Sequence, residues 1–240
     1  MAMEWKLHHR KETASTNLDA RSGGHGDVFT ADFQSAGRGR LDHKWISPPA
    51  TNLMMSAVLS VYGMSPESLS TFPLVVGLAV AKALSSLLGA HSKTIGLKWP
   101  NDIWISGRKV AGILCELDGN NVIAGIGVNV GRQEFPPEIA GKAVSLADVS
   151  EVGFCVSRVR DAVLAALDDA YGRWKSGGFA AIYGEVAAID VLKGRRLSVR
   201  QTDVDDVPVR GVSNGINPDG SLDVEGVCVY AGEANVERID

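Results

Sequence analysis

Apolar positions along the chain fall into two textures, one long-period and mixed, the other short and strand-like. Residues 28–33 form a brief apolar run, β-branched at its start, and residues 52–61 form another; both read as strands. Between them lies Gln34-Ser35-Ala36-Gly37-Arg38-Gly39-Arg40-Leu41-Asp42-His43-Lys44, a loop of small and basic residues. Ser65-Pro66-Glu67-Ser68 marks a helix start, with a serine N-cap, proline at the first turn and an early acid. Leu69, Phe72, Val76, Leu84, Leu87 and Leu88 then give one broad apolar face that stops at Gly89, with Pro73 placing the regular helix later than Ser65. Residues 94–99 predict a strand ending in the turn Trp99-Pro100-Asn101-Asp102. Residues 103–105 and 109–116 form a hairpin across Ser106-Gly107, and a turn at 118–121 leads into a strand over 122–130. Strands joined by tight turns predict an antiparallel or mixed sheet rather than a βαβ array. Residues 155–174 have a helical period and end at Lys175-Ser176-Gly177-Gly178. From about Val191 the texture changes to short strands at 196–200, 207–212, 221–224 and 228–231, split by Asp, Asn and Gly turns, which predicts a small all-β barrel.

Composition narrows the function classes. The chain has 240 residues, room for a substantial domain and a small second one. Its 45% hydrophobic and 22% charged residues are ordinary for a folded soluble protein. A net charge of −4 argues against duplex nucleic acid, and the barrel segment mixes Arg195, Arg196, Arg200 and Arg210 with Asp203, Asp205 and Asp206. The tight basic cluster of Arg38, Arg40, His43 and Lys44 suits a phosphate-sized anion. Cys115, Cys155 and Cys228 lie far apart, in neither zinc nor disulfide spacing, and each in an apolar stretch; they predict reduced core thiols and a cytoplasmic setting. Residues 1–12 are charged and lack an apolar signal core. Residues 72–88 are interrupted by Lys82 and serines and read as a buried helix rather than a membrane span.

Four pieces carry chemistry. Gly37-Arg38-Gly39-Arg40 lets backbone approach a ligand and supplies forked donors to carboxylate or phosphate, though a solvated basic turn has the same composition. Lys98-Trp99-Pro100-Asn101-Asp102, with Lys109 seven residues on, offers a Mg²⁺ or ribose contact and a cation beside it; the plain alternative is a turn with an exposed lysine. Gly125-Ile126-Gly127-Val128-Asn129 lacks the GxGxxG spacing of a dinucleotide fold. Its two strand glycines leave room for a flat ligand, with Asn129 offering an amide to a base edge. Ser15-Thr16-Asn17 either caps a short helix or faces a polar ureido or amide group.

In this order and spacing, these segments together with Trp45-Ile46-Ser47-Pro48 and residues 109–114 resemble the biotin protein ligases, over residues 13–132. Gly215-Ile216-Asn217-Pro218-Asp219-Gly220-Ser221-Leu222 is similar to a turn in their C-terminal SH3-like domain. The resemblance implies an α+β fold: a mixed sheet flanked by helices, of the class II aminoacyl-tRNA synthetase-like kind (residues 1–188), then a small SH3-like β barrel (residues 189–240). It implies ATP and Mg²⁺ as cofactors and biotin as substrate. Biotinyl-AMP and pyrophosphate form first, and biotin then passes to a lysine of a biotin carboxyl carrier domain of a biotin-dependent carboxylase. By resemblance, Ser15, Thr16, Asn17, Gln34, Gly37, Gly112 and Leu114 line the biotin pocket, and Arg38, Gly39 and Arg40 close over the carboxylate and the adenylate phosphate. Trp45 and Asn129 belong to the adenine site. Asn101 and Asp102 lie near ribose, phosphate or metal, with Asp102 as the metal ligand. Lys109 bridges acyl and phosphate oxygens, and Lys109, Arg40 and Asp102 are the catalytic set. No nucleic-acid or membrane partner is implied, and a homodimer through a sheet edge is compatible with the resemblance.

The chain departs from the family at Asp42 and His43, where glycine and arginine are usual, and at Ala50, where glycine is common. A carboxylate beside a phosphate site is unhelpful, and an imidazole is cationic only part of the time near neutrality. Only fourteen residues precede Ser15, too few for the DNA-binding module of some members. The rival readings are a lipoate or octanoate ligase, to which Arg21-Ser22-Gly23-Gly24-His25 bears a faint likeness, and a catalytically silent biotin-binding module.

Overall fold

The computed structural model describes residues 3–41, 43–89, 95–202 and 207–237. A seven-stranded sheet is built from β1 (Lys6–Thr13), β2 (Asp27–Gln34), β3 (Leu53–Ser60), β4 (Ile95–Lys98), β5 (Asp102–Ile105), β6 (Arg108–Asp118) and β7 (Asn121–Val128). Its strand order is β1-β2-β3-β7-β6-β5-β4, with β1 parallel to β2 and every other neighbour antiparallel. The mixed sheet is therefore present, its two hairpin turns lying where the Ser106-Gly107 and 118–121 signals place them.

The long core helix α3 (Phe72–Leu88) packs on one face of this sheet and against α5 (Val156–Gly177), while the short α1 (Thr16–Ala20) lies on β2, β3 and β7. Val28, Met55, Ala57 and Leu59 enter the main core, whereas Phe29, Val58 and Ile123 join Ala20 in a small cluster of their own. Both faces of β3 are thus covered, so its sequence reads as one apolar run instead of alternating. Pro73 lies in the first turn of α3, and the helix start at Ser65 belongs to a separate short helix, α2 (Pro66–Ser70), whose Ser68 N–H donates to Ser65 Oγ at 3.3 Å. Read together, residues 66–88 are long and apolar enough to cross a membrane, with mean hydropathy 1.8 over an 18-residue stretch, but 72% of that stretch is buried inside the fold.

One strand was not anticipated, and one expectation needs correction. β1 has no apolar period at all; seven of its eight positions are exposed, and it is held as an edge by backbone pairing to β2 and by His8–Asp27 (2.9 Å) and Arg10–Asp19 (3.3 Å) contacts. The cysteines are all free, but they are not all core thiols. Cys155 is exposed as the N-cap of α5, Cys228 is exposed on an outer strand, and only Cys115 is partly buried, where desolvation pushes its thiol up to about 12.

Residues 146–149 and 183–188 form the short helices α4 and α6. A five-stranded antiparallel sheet follows, made of β8 (Arg196–Gln201), β9 (Val209–Ile216), β10 (Leu222–Val224), β11 (Val227–Val229) and β12 (Gly232–Val236), in the order β11-β10-β9-β8-β12. This is the small β unit expected after residue 191, and its topology is compatible with an SH3-like domain. Leu197, Val199, Leu222 and Val229 belong to the same apolar core as α3. Polar contacts fix the junction. Trp99 Nε1 donates to the Gly220 carbonyl at 3.0 Å, Tyr183 Oη to Ile216 at 3.1 Å, and the Asp190 carboxylate accepts from Leu192 N (2.8 Å) and Ile216 N (3.1 Å). Residues 189–191 still pair with β4, through Leu97 N to Ile189 O at 2.7 Å and Val191 N to Leu97 O at 3.0 Å.

Candidate active site

A cavity of about 940 Å³ opens over β6, between the loop following β2 and the C-terminal sheet. Its lining includes Gln34, Gly37 to Lys44 where described, Trp45, Asn101, Leu114 and Glu116. Asp42 lies outside the described residues.

The floor is made by strand positions with little side chain. In the β6/β7 register Gly112 faces Gly127 and Leu114 faces Gly125. A Cβ on Gly127 would fall 2.5 Å from the Trp45 ring, and one on Gly125 would strike the Asn17 amide. The two glycines therefore leave room for the protein's own Trp45 and Asn17. The expectation that they leave room for a flat ligand is corrected: the indole occupies that space. Lys109 Nζ stands 5.9 Å from the centroid of the same ring.

At one end of the site, the residues after β1 form a closed polar cluster. Ser15, Thr16 and Asn17 are each only 4% exposed. Ser15 is the N-cap residue of α1, but its side chain makes no capping bond. Thr16 donates to Gln34 Oε1 from its backbone N (2.7 Å) and its hydroxyl (3.0 Å). Asn17 Nδ2 donates to the Leu114 carbonyl (3.3 Å) and to Glu116. The Ser56 hydroxyl lies 2.6 Å from Asn17 Oδ1 and 2.8 Å from Thr16 Oγ1; its single proton serves one of them at a time.

At the other end the loop brings cations together. The loop folds back on itself through Gly39 N to His43 O (2.6 Å) and Trp45 N to Gly37 O (3.0 Å). Arg38 reaches Glu116 at 3.4 Å. Arg40 donates to Asn101 Oδ1 (3.4 Å) and to the Gly232 carbonyl (3.2 Å), so it touches both the catalytic sheet and β12. Asn101 is itself pinned, its Nδ2 donating to Ile113 O at 2.6 Å. Asp102 and Lys109 form an ion pair at 2.7 Å. Burial holds the Arg40 guanidinium below its ordinary value, with the charges of Asp102 and Glu233 pulling it back. Burial likewise holds Lys98 down; Asp102 opposes this, and Lys109 adds to it. Arg40, Lys98 and Lys109 lie close enough to sense one another, and with Asp102 and Glu233 as counter-charges the cluster keeps a positive excess that suits an anion.

Of the expected residues, Gln34, Gly37, Arg38, Gly39, Arg40, Trp45, Asn101 and Leu114 line the cavity, whereas Ser15, Thr16, Asn17, Asp102, Lys109, Gly112 and Asn129 are not among its lining residues. Asn129 is buried; its side-chain Nδ2 donates to the Val144 carbonyl at 3.2 Å and its backbone carbonyl accepts from Leu146 N at 3.0 Å, so side chain and backbone together anchor the 142–146 strap. That strap runs beside Lys109 and takes up the Asn129 side chain. Several residues went unnoticed in the sequence: Ser56, Glu116, and the cavity-lining Thr202, Tyr230 and Ala231 of the C-terminal sheet. For Ser56 a signal existed, a lone hydroxyl inside an apolar run.

Comparison with known proteins agrees with this architecture. The biotin–[acetyl-CoA-carboxylase] ligase of Mycobacterium tuberculosis is 31% identical over 232 residues, covering 92% of this chain and 85% of that protein. The ligase of the same name from Paracoccus denitrificans is 31% identical, covering 89% of this chain and 92% of the relative. The solved biotin protein ligase of Aquifex aeolicus, in complex with biotin and ATP, superposes with a TM-score of 0.84 at 28% identity, covering 98% of this chain and 99% of that one. Residues 10–132, the stretch that carries the polar cluster, the cation loop and the glycine floor, match the family described as "Biotin/lipoate A/B protein ligase family". The chain belongs to that family.

Proposed function

We infer that this chain is a biotin protein ligase: it joins biotin to AMP at the expense of ATP and passes the biotinyl group to a lysine of a biotin carboxyl carrier domain. The observation that carries the reading is the polarity of the cavity. Arg40 and Lys44 gather on its loop side with Arg38, which reaches across to Glu116, and amides and hydroxyls with that one carboxylate form the Thr16–Gln34 side. A molecule with an anionic tail and a neutral polar head fits that division.

In the first half-reaction a biotin carboxylate oxygen attacks the α-phosphorus, and the bond to pyrophosphate breaks. Negative charge builds on the phosphoryl oxygens, and Arg38, Arg40 and Lys109 are the donors assigned to it. In the second, the acceptor amine attacks the acyl carbon, an amide forms, and AMP leaves as the amine loses its proton. Asp102, held by Lys109, is the assigned base for that proton. Trp45 is assigned to the adenine wall and Asn101 to the ribose-phosphate side; Asn129 acts only by holding its strap. Ser15, Thr16, Asn17, Gln34, Gly112 and Leu114 are assigned to the biotin end, with Gly37 and Gly39 allowing the loop to approach.

The Asp102 carboxylate fits a nucleotide-borne Mg²⁺, since that ion takes one or two protein carboxylates and completes its shell with phosphates and water; bound there, it supplies neutralising charge at the phosphates. Among the described residues no group of three or more His, Cys, Asp or Glu forms a dedicated metal cage. Residues 1–188 make the proposed catalytic domain and 189–240 the C-terminal one, with residues 189–191 as the splice between them. A cytoplasmic setting accords with the three free thiols. A homodimer through the β1 edge is the proposed assembly, as that strand has one unpaired side.

Pyrophosphate release by the purified protein with Mg²⁺ and ATP tests the activity, comparing biotin, lipoate, octanoate and no acid. Release with biotin alone, and a bound biotinyl-AMP mass, is the expected result. Release with lipoate or octanoate instead moves the chain to the sister ligases, and none with any acid leaves a binding module.

A further inference from the structure

Glu116 is the one acid among the described residues that line the cavity. It ends the catalytic floor, with its side chain 21% exposed, and it faces three donors: Asn17, Arg38 at 3.4 Å and Arg21 at 3.5 Å. The arginine contacts are long, and those side chains are 46% and 54% exposed, so they add little as ion pairs. The Asn17 contact is different, because Asn17 is buried and an asparagine amide has two faces that only its neighbours distinguish.

A carboxylate accepts and never donates when ionised, so Glu116 draws Asn17 Nδ2 to itself. The Leu114 carbonyl, 3.3 Å from the same nitrogen, enforces the same sense, and the Ser56 hydroxyl fills Asn17 Oδ1 from the other side. Thr16 fixes Gln34 in the same way. Both Thr16 donors go to Gln34 Oε1, which turns Gln34 Nε2 toward the Gly37 side of the cavity. The closed end of the pocket is thereby left with one hydrogen-bond sense: a donor on Gln34 and spare acceptor capacity on Glu116.

We propose that Glu116 is a specificity-determining residue: with Gln34 it sets the hydrogen-bond polarity of the Asn17 end of the pocket and so selects an acid bearing a cyclic urea over a plain aliphatic acid. The proposal rests on the ligase reading above. A cyclic urea presents one carbonyl oxygen and two N–H donors, which complement one donor and one acceptor. An alkyl head would bury both protein groups without partners, and a site built for hydrogen bonds discriminates strongly for that reason.

The test is calorimetric titration of the full-length protein with biotin, alongside steady-state pyrophosphate release. Glu116→Gln is nearly isosteric but replaces an acceptor-only group with one that also donates, so the spare acceptor is lost to the ligand while Leu114 and Ser56 still hold the Asn17 amide. It is expected to raise the biotin Kd and KM by about 10- to 100-fold, as for loss of a hydrogen bond to a charged group. The KM for ATP, the kcat at saturating biotin and the melting temperature should stay unchanged. Glu116→Asp keeps an acceptor-only group and should recover part of the affinity. Ser56→Ala releases the other side of the same amide and should raise the biotin KM less than Glu116→Gln does; it also serves if Glu116→Gln does not fold. Unchanged biotin affinity in folded Glu116→Gln overturns the proposal. So does a fall in kcat without a change in biotin KM, or an Asp variant no better than Glu116→Ala. Failure of the wild-type protein to bind biotin is a separate outcome, which strikes the ligase reading itself.

Discussion

The floor of the cavity and the loop above it are built on opposite terms. The floor is two long strands in unbroken register from Ala111↔Val128 to Asp118↔Asn121, with residues such as Ala111, Ile113, Ala124 and Val128 essentially buried. Among its described residues, the loop from Ser35 to Thr51 folds back through Gly39 N to His43 O and Trp45 N to Gly37 O, and two non-glycine residues, Leu41 (φ 51°) and Ala50 (φ 54°), occupy left-handed backbone. Its arginines reach their partners at 3.2–3.4 Å, long for charge-assisted bonds. The floor can therefore recognise without rearranging, whereas the loop is free to tighten when an anion arrives. Such a division suits a water-sensitive mixed anhydride, which needs a fixed seat and a cover that closes after it forms.

The comparison breaks most sharply at the cations. Lys109→Ala is expected to slow pyrophosphate release by about 10²–10³, roughly 3–4 kcal/mol of transition-state stabilisation, with biotin affinity little changed; stopped-flow release under saturating substrates measures it. Arg40→Gly should act on the cover instead. Biotinyl-AMP would escape faster from the variant, read as loss of labelled adenylate on gel filtration, and equal retention would put the closure elsewhere.

Next comes the floor. Gly127→Ala puts a methyl against the Trp45 ring and should cost about 1–3 kcal/mol of stability, by overpacking. Chemical denaturation measures that, and the KM for ATP should rise with it, since the indole is the assigned adenine wall.

Ala50→Gly addresses strain in the loop. A left-handed alanine costs about 1 kcal/mol relative to glycine, so the variant should be more stable by that amount in thermal unfolding. The smallest effect is expected at Lys98. Its native pKa lies below the unfolded value near 10.5, so at neutral pH its charge opposes folding, and that penalty fades as pH rises through the native value toward 10.5. Lys98→Met should therefore unfold at a higher temperature than wild type at pH 7, with the advantage shrinking on the alkaline side. A constant advantage at all pH values would assign it to packing.

Much of this was legible because it is local. The Gly-Arg loop, the Trp-Pro-Asn-Asp turn and the paired strand glycines each declare themselves within a few residues, and their order carries the family likeness. Ala50 stood out in the sequence as a residue where glycine is common, and its positive φ supplies the physical reason. What stayed hidden is long-range. Glu116 looks like an ordinary polar strand end until Asn17, 99 positions away, is placed against it. Tyr230 and Ala231 join the cavity wall only because the C-terminal sheet docks back beside the loop. β1 was invisible because an exposed edge held by backbone pairing needs no apolar rhythm. The Asn129 partner was hidden too, because sequence proximity to Gly127 says nothing of the strap that its amide bonds.

One bond described above reaches further than its length suggests. Arg40 donates to the carbonyl of Gly232, so the loop after β2 and the last strand of the C-terminal sheet share a hydrogen bond. Any ligand that pulls Arg40 inward must alter that contact, and linkage makes the effect mutual: the free energy by which ligand binding shifts the C-terminal sheet is the free energy by which that sheet shifts ligand affinity. The small sheet is thereby an effector held in cis, and the two ends of the polypeptide answer to a single binding equilibrium.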